Sequence, residues 1–273
     1  MPDNNPRSVT KHYSEEMMTV PSTDKVELDG RLFRGDARKH TCVILTHPYG
    51  PLGGNFENNV VKALFDNFAS QGFMTVRFNF RGTGRSTGRT SFKGQGEQDD
   101  ILAICRYIRE KEHIRPKHIM LCGYSYGAVA AGGVATQIPE LSGFIAVSYP
   151  IGVLWALTFF GTNKFKTSLA GIPSHIPKLY ITGGKDGFTS LETFTTFVES
   201  LPKENITSVV VKEANHFWVD GTQENQLVAH INQWLGKTGL NAKGGRMAAS
   251  ALLQRGTGVV SSATIPPSSP SAR

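Results

Sequence analysis

Apolar positions along this chain follow two different periodicities. Short, nearly continuous apolar runs such as Cys42–Leu45 are typical of strands that are covered on both faces of a sheet. Between these runs, apolar residues recur three or four positions apart, as at Val60, Leu64 and Phe68, which is the spacing of one helix face. The two patterns alternate, and this order predicts a mostly parallel sheet with right-handed crossover helices.

Applied to the whole chain, these patterns predict one α/β domain at residues 17–236. The predicted strands are 17–23, 26–33, 41–46, 74–80, 119–122, 143–147, 178–182 and 207–211. The predicted helices are 55–70, 98–112, a helix after Gly127, 191–199 and 224–235. Residues 1–16 form an N-terminal extension. Residues 237–273 are rich in Gly, Ala, Ser and Pro, a composition that predicts a disordered tail.

Composition narrows the class of protein further. A chain of 273 residues with 39% hydrophobic residues suits one domain around one buried sheet. The most apolar window, 151–160, is half of the ~20 residues that a membrane-spanning helix needs, so no stable membrane insertion is expected. The start of the chain has no signal-peptide pattern. The three cysteines lie in apolar surroundings and suit a reducing compartment, which predicts a cytoplasmic protein.

The net charge of +7 raises the question of a nucleic-acid partner. Residues 237–273 carry five basic residues and no acidic one, so most of the excess belongs to the predicted tail. A nucleic-acid-binding domain would gather its basic residues on one folded face. We therefore expect no nucleic-acid partner. A basic tether to an acidic partner or a membrane surface is the alternative.

The pentapeptide Gly123–Gly127, with Ser125 at its centre, carries the strongest chemical signal. It follows a predicted strand and precedes a run of small residues, which is the context of a nucleophile elbow. The turn there is so tight that a Cβ on either flanking residue would collide with the neighbouring strand and helix. Glycine at both positions avoids the collision and leaves the Ser125 hydroxyl protruding above the sheet.

Two further residues could activate that hydroxyl. Asp186 follows the strand at 178–182, and His216 follows the strand at 207–211. A serine needs an imidazole to take its proton, and the imidazole needs a carboxylate to hold its tautomer. We therefore predict Ser125, Asp186 and His216 as a catalytic triad. For Asp186, ordinary turn chemistry is the alternative.

These features resemble the α/β-hydrolase superfamily over roughly residues 20–236, in particular its compact dienelactone-hydrolase and acyl-peptidase-like branch. The order Ser, Asp, His along the chain is that of the family. Segments 46–54 and 77–86 are similar to its loops after the third and fourth strands, although Asn79 stands where many relatives carry aspartate. The resemblance implies an α/β-hydrolase fold of about eight strands with helices on both faces. Only 27 residues separate Pro150 from Lys178, so we expect a minimal lid.

An enzyme of this kind needs two donors for the oxyanion of its tetrahedral intermediate. The first is expected to be the Tyr126 N–H, directly after the nucleophile. The second should come from the loop after the third strand, where Pro48 has no N–H. Tyr49 is the favoured donor and Gly50 the alternative. His47, in the same loop, is expected to brace it.

Two arginines follow the fourth strand, at Arg81 and Arg85. Either could bind a substrate carboxylate or phosphate. For Arg81, a scaffold role that pins neighbouring loops is the favoured interpretation.

Five aromatic residues are candidates for an acyl pocket of limited depth. They are Trp155, Phe159 and Phe160 in the predicted lid, and Phe188 and Phe217 beside the predicted acid and base. Ordinary core packing is an equally good explanation of this apolar set.

Together these residues predict a serine hydrolase that cleaves a carboxylic ester or thioester of a small to medium substrate through an acyl-enzyme. A small peptidase or acyltransferase with the same triad remains an alternative, as does a non-catalytic binding module of the same fold. The glycine-rich stretch 82–88 lacks the spacing of a phosphate-binding loop, and no His, Cys and carboxylate cluster suggests a metal site. We therefore expect no cofactor and no metal. The oligomeric state stays open.

Overall fold

One mostly parallel sheet organises the protein. The computed structural model describes residues 13–91, 93–111, 115–158 and 161–241. The strands are β1 Glu16–Pro21, β2 Glu27–Phe33, β3 Thr41–Thr46, β4 Met74–Phe78, β5 His118–Tyr124, β6 Leu141–Val147, β7 Lys178–Lys185 and β8 Ile206–Asn215. Their order across the sheet is β1-β2-β4-β3-β5-β6-β7-β8. The pairs β1/β2 and β2/β4 are antiparallel and the other pairs are parallel, which confirms the predicted α/β-hydrolase sheet.

Helices cover both faces of this sheet. They are α1 Asn59–Ser70, α2 Gln95–Glu110, α3 Tyr126–Val134, α4 Leu154–Leu157, α5 Thr162–Ala170, α6 Leu191–Glu199 and α7 Gly221–Thr238. Apolar residues of α2, α3, α5 and α6 pack on one face, and those of α1 and α7 pack on the other. The two hydrophobic cores bury every residue of β3 and β6, which explains their continuous apolar sequences.

Several predicted boundaries shift by a few residues, for local reasons. Helix α1 begins at Asn59 because the Asn58 side chain caps it by accepting a hydrogen bond from the Val60 N–H at 3.0 Å. Strand β4 ends at Phe78, close to the point where its backbone bonds to β2 stop. The Asn79 N–H still donates to the Asp29 carbonyl on β2, whereas the Phe80 N–H donates to a histidine side chain.

The connection between β6 and β7 carries the minimal lid. Helix α4 has only four residues, and the exposed fraction of Trp155 on it is 55%. The sequence patterns do not predict α5. Its two core residues, Phe165 and Leu169, pack with α3 against the sheet, so α5 belongs to the body of the domain.

The end of the domain lies slightly beyond the predicted boundary at residue 236. Helix α7 continues to Thr238, and Leu240 packs against the second core beside Gly143. The Lys39 ammonium donates to the Asn241 carbonyl at 2.8 Å. Residues 1–12 of the predicted extension and 242–273 of the predicted tail lie outside the described residues. Within the described ranges, no helix has the length and apolar character needed to cross a membrane.

Candidate active site

Ser125 lies in the sharp turn between β5 and α3. Its backbone has φ 53° and ψ −122°, which a non-glycine residue rarely adopts. A Cβ at Gly123 would meet the Ala128 backbone at 2.4 Å, and one at Gly127 would meet the Thr46 carbonyl oxygen at 2.5 Å. Only glycine therefore fits at these two positions, as the pentapeptide predicts, and helix α3 can approach the loop after β3 closely.

The structure brings the three predicted triad residues together. His216 Nε2 lies 2.9 Å from Ser125 Oγ, and His216 Nδ1 lies 2.8 Å from Asp186 Oδ2. All three residues are buried. Because the carboxylate accepts, Nδ1 carries a proton and Nε2 is free to accept the serine proton.

Asp186 is itself held in place by backbone donors. Its Oδ1 accepts hydrogen bonds from the Phe188 and Thr189 N–H groups at 2.8 and 3.1 Å. These bonds leave Oδ2 facing the imidazole of His216. Asp186 can therefore belong to the turn and to the triad at the same time, because the backbone donors bond to Oδ1 and the imidazole bonds to Oδ2.

The two predicted oxyanion donors are Tyr126, which directly follows Ser125, and Tyr49 in the loop after β3. Tyr126 is the first residue of α3, and Tyr49 lines the same cavity as Ser125. In the described part of the chain, neither backbone N–H has a hydrogen-bond acceptor. The two tyrosine rings contact each other edge to face, with centroids 5.0 Å apart. The loop after β3 and the start of α3 thus pack against each other through these two rings.

His47 connects the loop after β3 to the segment that follows β4. Its Nδ1–H donates to the Pro48 carbonyl at 2.6 Å, and its Nε2 accepts from the Phe80 N–H at 2.9 Å. This pair of bonds requires a neutral ring. Complete burial lowers the pKa of His47 from 6.5 to about 4. The bracing role that the sequence predicts has this geometric basis.

We expect His47 to make the fold sensitive to acid. The unfolded chain binds a proton on this ring near pH 6.5, whereas the folded chain binds it only near pH 4. The unfolding free energy should therefore fall by about 3 kcal/mol as the pH drops through this window. Thermal unfolding of the wild type and of His47→Gln between pH 4 and 7 tests this.

The His47→Gln variant should lose less stability over that pH range than the wild type. The exposed His175 provides a matched control, and His175→Gln should keep the wild-type pH slope. Parallel slopes for the wild type and His47→Gln would refute this role of His47.

Arg81 serves the scaffold. Its guanidinium forms a buried ion pair with Asp100 on α2, with Nη2 2.8 Å from Oδ1, and also donates to the Thr23 hydroxyl at 2.9 Å. Asn79 is buried beside it, and its Oδ1 accepts from the Phe56 N–H at 2.9 Å. These contacts confirm the scaffold interpretation of Arg81. Arg85 pairs with Asp29 and is largely exposed.

A cavity of about 150 Å³ opens above Ser125. Phe188 and Phe217, two of the predicted pocket residues, line it. Trp155 is not among its described lining residues, and Phe159 and Phe160 lie outside the described residues. The remaining apolar wall comes from Leu52, Pro150, Val153 and Leu157.

The sequence patterns miss these wall residues and Asn58, which also lines the cavity. Leu52 and Asn58 belong to the segment between β3 and α1, and Val153 and Leu157 belong to the lid segment. Their proximity to the Gly-x-Ser-x-Gly turn depends on how the loops fold over the sheet. The spacing of apolar residues along the sequence does not indicate how these loops fold. Among the residues that the structure describes, no group of three His, Cys, Asp or Glu side chains could hold a metal ion.

Comparisons with known proteins concern the family and the fold of the chain. The family model of the X-Pro dipeptidyl-peptidase (S15 family) matches residues 24–159, a range that includes Ser125 and ends before Asp186 and His216. An α/β serine hydrolase homologue from Coxiella burnetii is 26% identical, with a TM-score of 0.67 over 82% of this chain and 99% of that chain.

Two other solved structures share the fold at lower identity. An α/β serine hydrolase without a lid from Xanthomonas campestris is 23% identical, with a TM-score of 0.68 over 85% of this chain and 97% of that one. The esterase Pf2001 of Pyrococcus furiosus is 19% identical, with a TM-score of 0.69 over 82% and 93%. At these identities the similarity concerns the fold alone.

Proposed function

The chain belongs to the α/β-hydrolase superfamily, and on that premise we propose that it cleaves small carboxylic esters or thioesters through an acyl-enzyme on Ser125. The observation that carries the proposal is the hydrogen-bonded line from Ser125 Oγ through His216 to Asp186, with distances of 2.9 and 2.8 Å. The Ser125 end of this line faces the cavity described above, which Ser125 and His216 both line. The esterase among the structural neighbours is consistent with this chemistry.

The reaction would proceed in two steps on this geometry. Ser125 Oγ attacks the acyl carbon while its proton passes to His216 Nε2, and Asp186 stabilises the resulting imidazolium. The carbonyl oxygen becomes an oxyanion between the Tyr49 and Tyr126 N–H groups. His216 then gives the proton to the departing alcohol or thiol. Water repeats the sequence on the acyl-enzyme and releases the acid.

The size of the cavity supports a small acyl group. A cavity of about 150 Å³ holds one group of about the size of benzene. Its walls are apolar, and Phe188 and Phe217 stand beside the triad. Acyl groups of about four to six carbons should therefore fit best, and longer chains would have to extend past the exposed rim.

The charges around the cavity favour an ester over a dipeptide. No Asp, Glu, Lys or Arg is among the described residues that line it. A dipeptidyl-peptidase substrate carries a free α-ammonium group, which is costly to bury without an anionic partner. A neutral acyl group has no such requirement. The match to the X-Pro dipeptidyl-peptidase model keeps peptide cleavage as the second candidate.

A series of p-nitrophenyl esters from acetate to laurate, run beside Ala-Pro-p-nitroanilide, tests the proposal. We expect kcat/KM to be highest near butyrate or hexanoate and to fall at least about tenfold by laurate, because the cavity holds only a benzene-sized group. No release from the dipeptide anilide is expected. Faster cleavage of the anilide than of every ester would contradict the proposed ester activity and indicate a peptidase instead.

Two variants test whether the cavity sets this preference. Leu157 lines the cavity, so Leu157→Ala should move the optimum to a longer acyl chain. Leu191 is an exposed leucine that is not among the described lining residues, so Leu191→Ala should leave the optimum in place. An unchanged optimum in Leu157→Ala would show that this cavity does not determine which acyl chain is preferred.

A further inference from the structure

We propose that three buried residues, Tyr124, Ser148 and Trp218, form a clamp that positions His216 for catalysis. The inference rests on the proposed function, because it concerns the base of the proposed triad. His216 lies on a short loop (residues 216–220) between β8, an edge strand of the sheet, and α7. Such a loop needs fixed points if the imidazole is to stay within hydrogen-bonding distance of Ser125 Oγ.

The first fixed point is a hydrogen bond across the core. The Trp218 Nε1–H donates to Ser148 Oγ at 3.0 Å, and both residues are fully buried. Ser148 follows β6 directly, and its own N–H donates to the Ile181 carbonyl on β7 at 2.7 Å. The indole therefore anchors the loop of His216 to the ends of β6 and β7, the two strands nearest to β8 in the sheet.

Both ends of this bond have unusual backbone geometry. Trp218 has φ 51° and Ser148 has φ 47°, in the left-handed region that favours glycine. Non-glycine residues keep such conformations only where the surrounding contacts hold them there. The bond between the two side chains is such a contact. Loss of this bond should allow the loop at residues 216–220 to relax toward an ordinary backbone conformation.

The second fixed point acts on the base itself. The Tyr124 hydroxyl donates to the His216 carbonyl at 2.8 Å, and Tyr124 directly precedes the nucleophile. The backbone of the base is thus bonded to the residue next to Ser125. Tyr124 Oη holds the backbone of His216, and the Trp218 indole holds the loop two residues further on, so together they fix the position of His216 relative to Ser125 Oγ.

Conservative variants with matched controls test the clamp. Trp218→Phe removes the indole N–H and keeps a large ring in the core. Its control is Trp234→Phe, because Trp234 is buried in the same core and its Nε1 has no acceptor among the described residues. Trp218→Phe should lose somewhat more stability, because it also breaks a buried hydrogen bond. Only Trp218→Phe should lower kcat, by about ten- to a hundredfold at unchanged KM, as expected when a catalytic group is misplaced.

Two further pairs follow the same design. Ser148→Ala has Ser142→Ala as its control, a buried serine at the other end of β6 that donates to the Ile119 carbonyl. Tyr124→Phe has Tyr180→Phe as its control, since the buried Tyr180 hydroxyl has no partner within the described ranges. The double variant Ser148→Ala/Trp218→Phe should be no slower than either single variant, because both changes break one bond.

The rate at which a fluorophosphonate labels Ser125 is the second readout, and it does not depend on the choice of substrate. We expect the clamp variants to label about tenfold or more slowly than their controls, because the misplaced imidazole removes the serine proton less effectively. Equal rates in clamp and control variants would overturn the proposal.

The possible failures of this experiment can be told apart. If Trp218→Phe does not fold, Ser148→Ala and Tyr124→Phe decide the question. If the wild type is labelled but cleaves no ester, the proposed function fails while the labelling rates still test the clamp. A wild type that is not labelled at all would overturn both.

Discussion

Ser125→Ala is expected to lower kcat for a soluble ester by about a millionfold, as removal of the nucleophile does in serine proteases. The hydroxyl bonds only to His216 Nε2 among the described residues, so the folded state should lose little stability. The measurement is kcat on p-nitrophenyl butyrate together with the melting temperature. His216→Ala should be equally severe, because members of a triad act as one unit.

A few per cent of wild-type turnover in purified Ser125→Ala would exclude Ser125 as the nucleophile. Ser142→Ala is a useful control, since it removes another buried serine hydroxyl at the opposite end of β6. It should keep wild-type turnover. A similar loss in both variants would point to a general effect on the fold.

Asp186→Asn is expected to lower kcat by about a thousand- to ten-thousandfold near neutral pH. The asparagine can keep the bonds from the Phe188 and Thr189 N–H groups through its oxygen. Its amide then faces His216 Nδ1 and favours the tautomer with the proton on Nε2. In that tautomer Nε2 cannot accept the proton of Ser125.

The kcat of Asp186→Asn should be measured from pH 6 to 8. Glu192 is an exposed acid on α6, and Glu192→Gln should behave as the wild type over the same range. Full activity of Asp186→Asn over this whole pH range would show that Asp186 is not the acid of the triad.

Much of the fold is predictable because the central strands have an unambiguous pattern. Strand β3 is buried along its whole length, so its apolar run marks both of its ends. The edge strand β8 extends to Asn215, well past the predicted end at residue 211. Its second half contains Lys212 and Glu213, which an edge strand can expose to solvent and which a pattern of buried residues does not reveal.

Helix α5 illustrates a weaker signal. Only Phe165 and Leu169 mark its buried face, one helical turn apart, and glycines stand on both sides at Gly161 and Gly171. That spacing with flanking glycines could have indicated a short helix.

At the candidate site, the predictable residues are those with a local motif or a position at a strand end. Ser125 has its flanking glycines, and Asp186 and His216 follow consecutive parallel strands, whose carboxyl ends meet at one edge of the sheet. Ser148 and Leu52 have no comparable signal. Their roles depend on contacts between loops that are distant in sequence, and such contacts follow from the packing of the whole domain.

The central claim is that Ser125 is an activated nucleophile that forms a covalent intermediate. Intact-protein mass spectrometry after treatment with a fluorophosphonate tests it most directly, because the probe needs no knowledge of the substrate. We predict a single added phosphonyl group on the wild type, located on Ser125 by peptide mapping, and none on Ser125→Ala or His216→Ala. An unmodified wild type, or equal labelling of Ser125→Ala, would contradict the claim and leave a non-catalytic binding module as the better account.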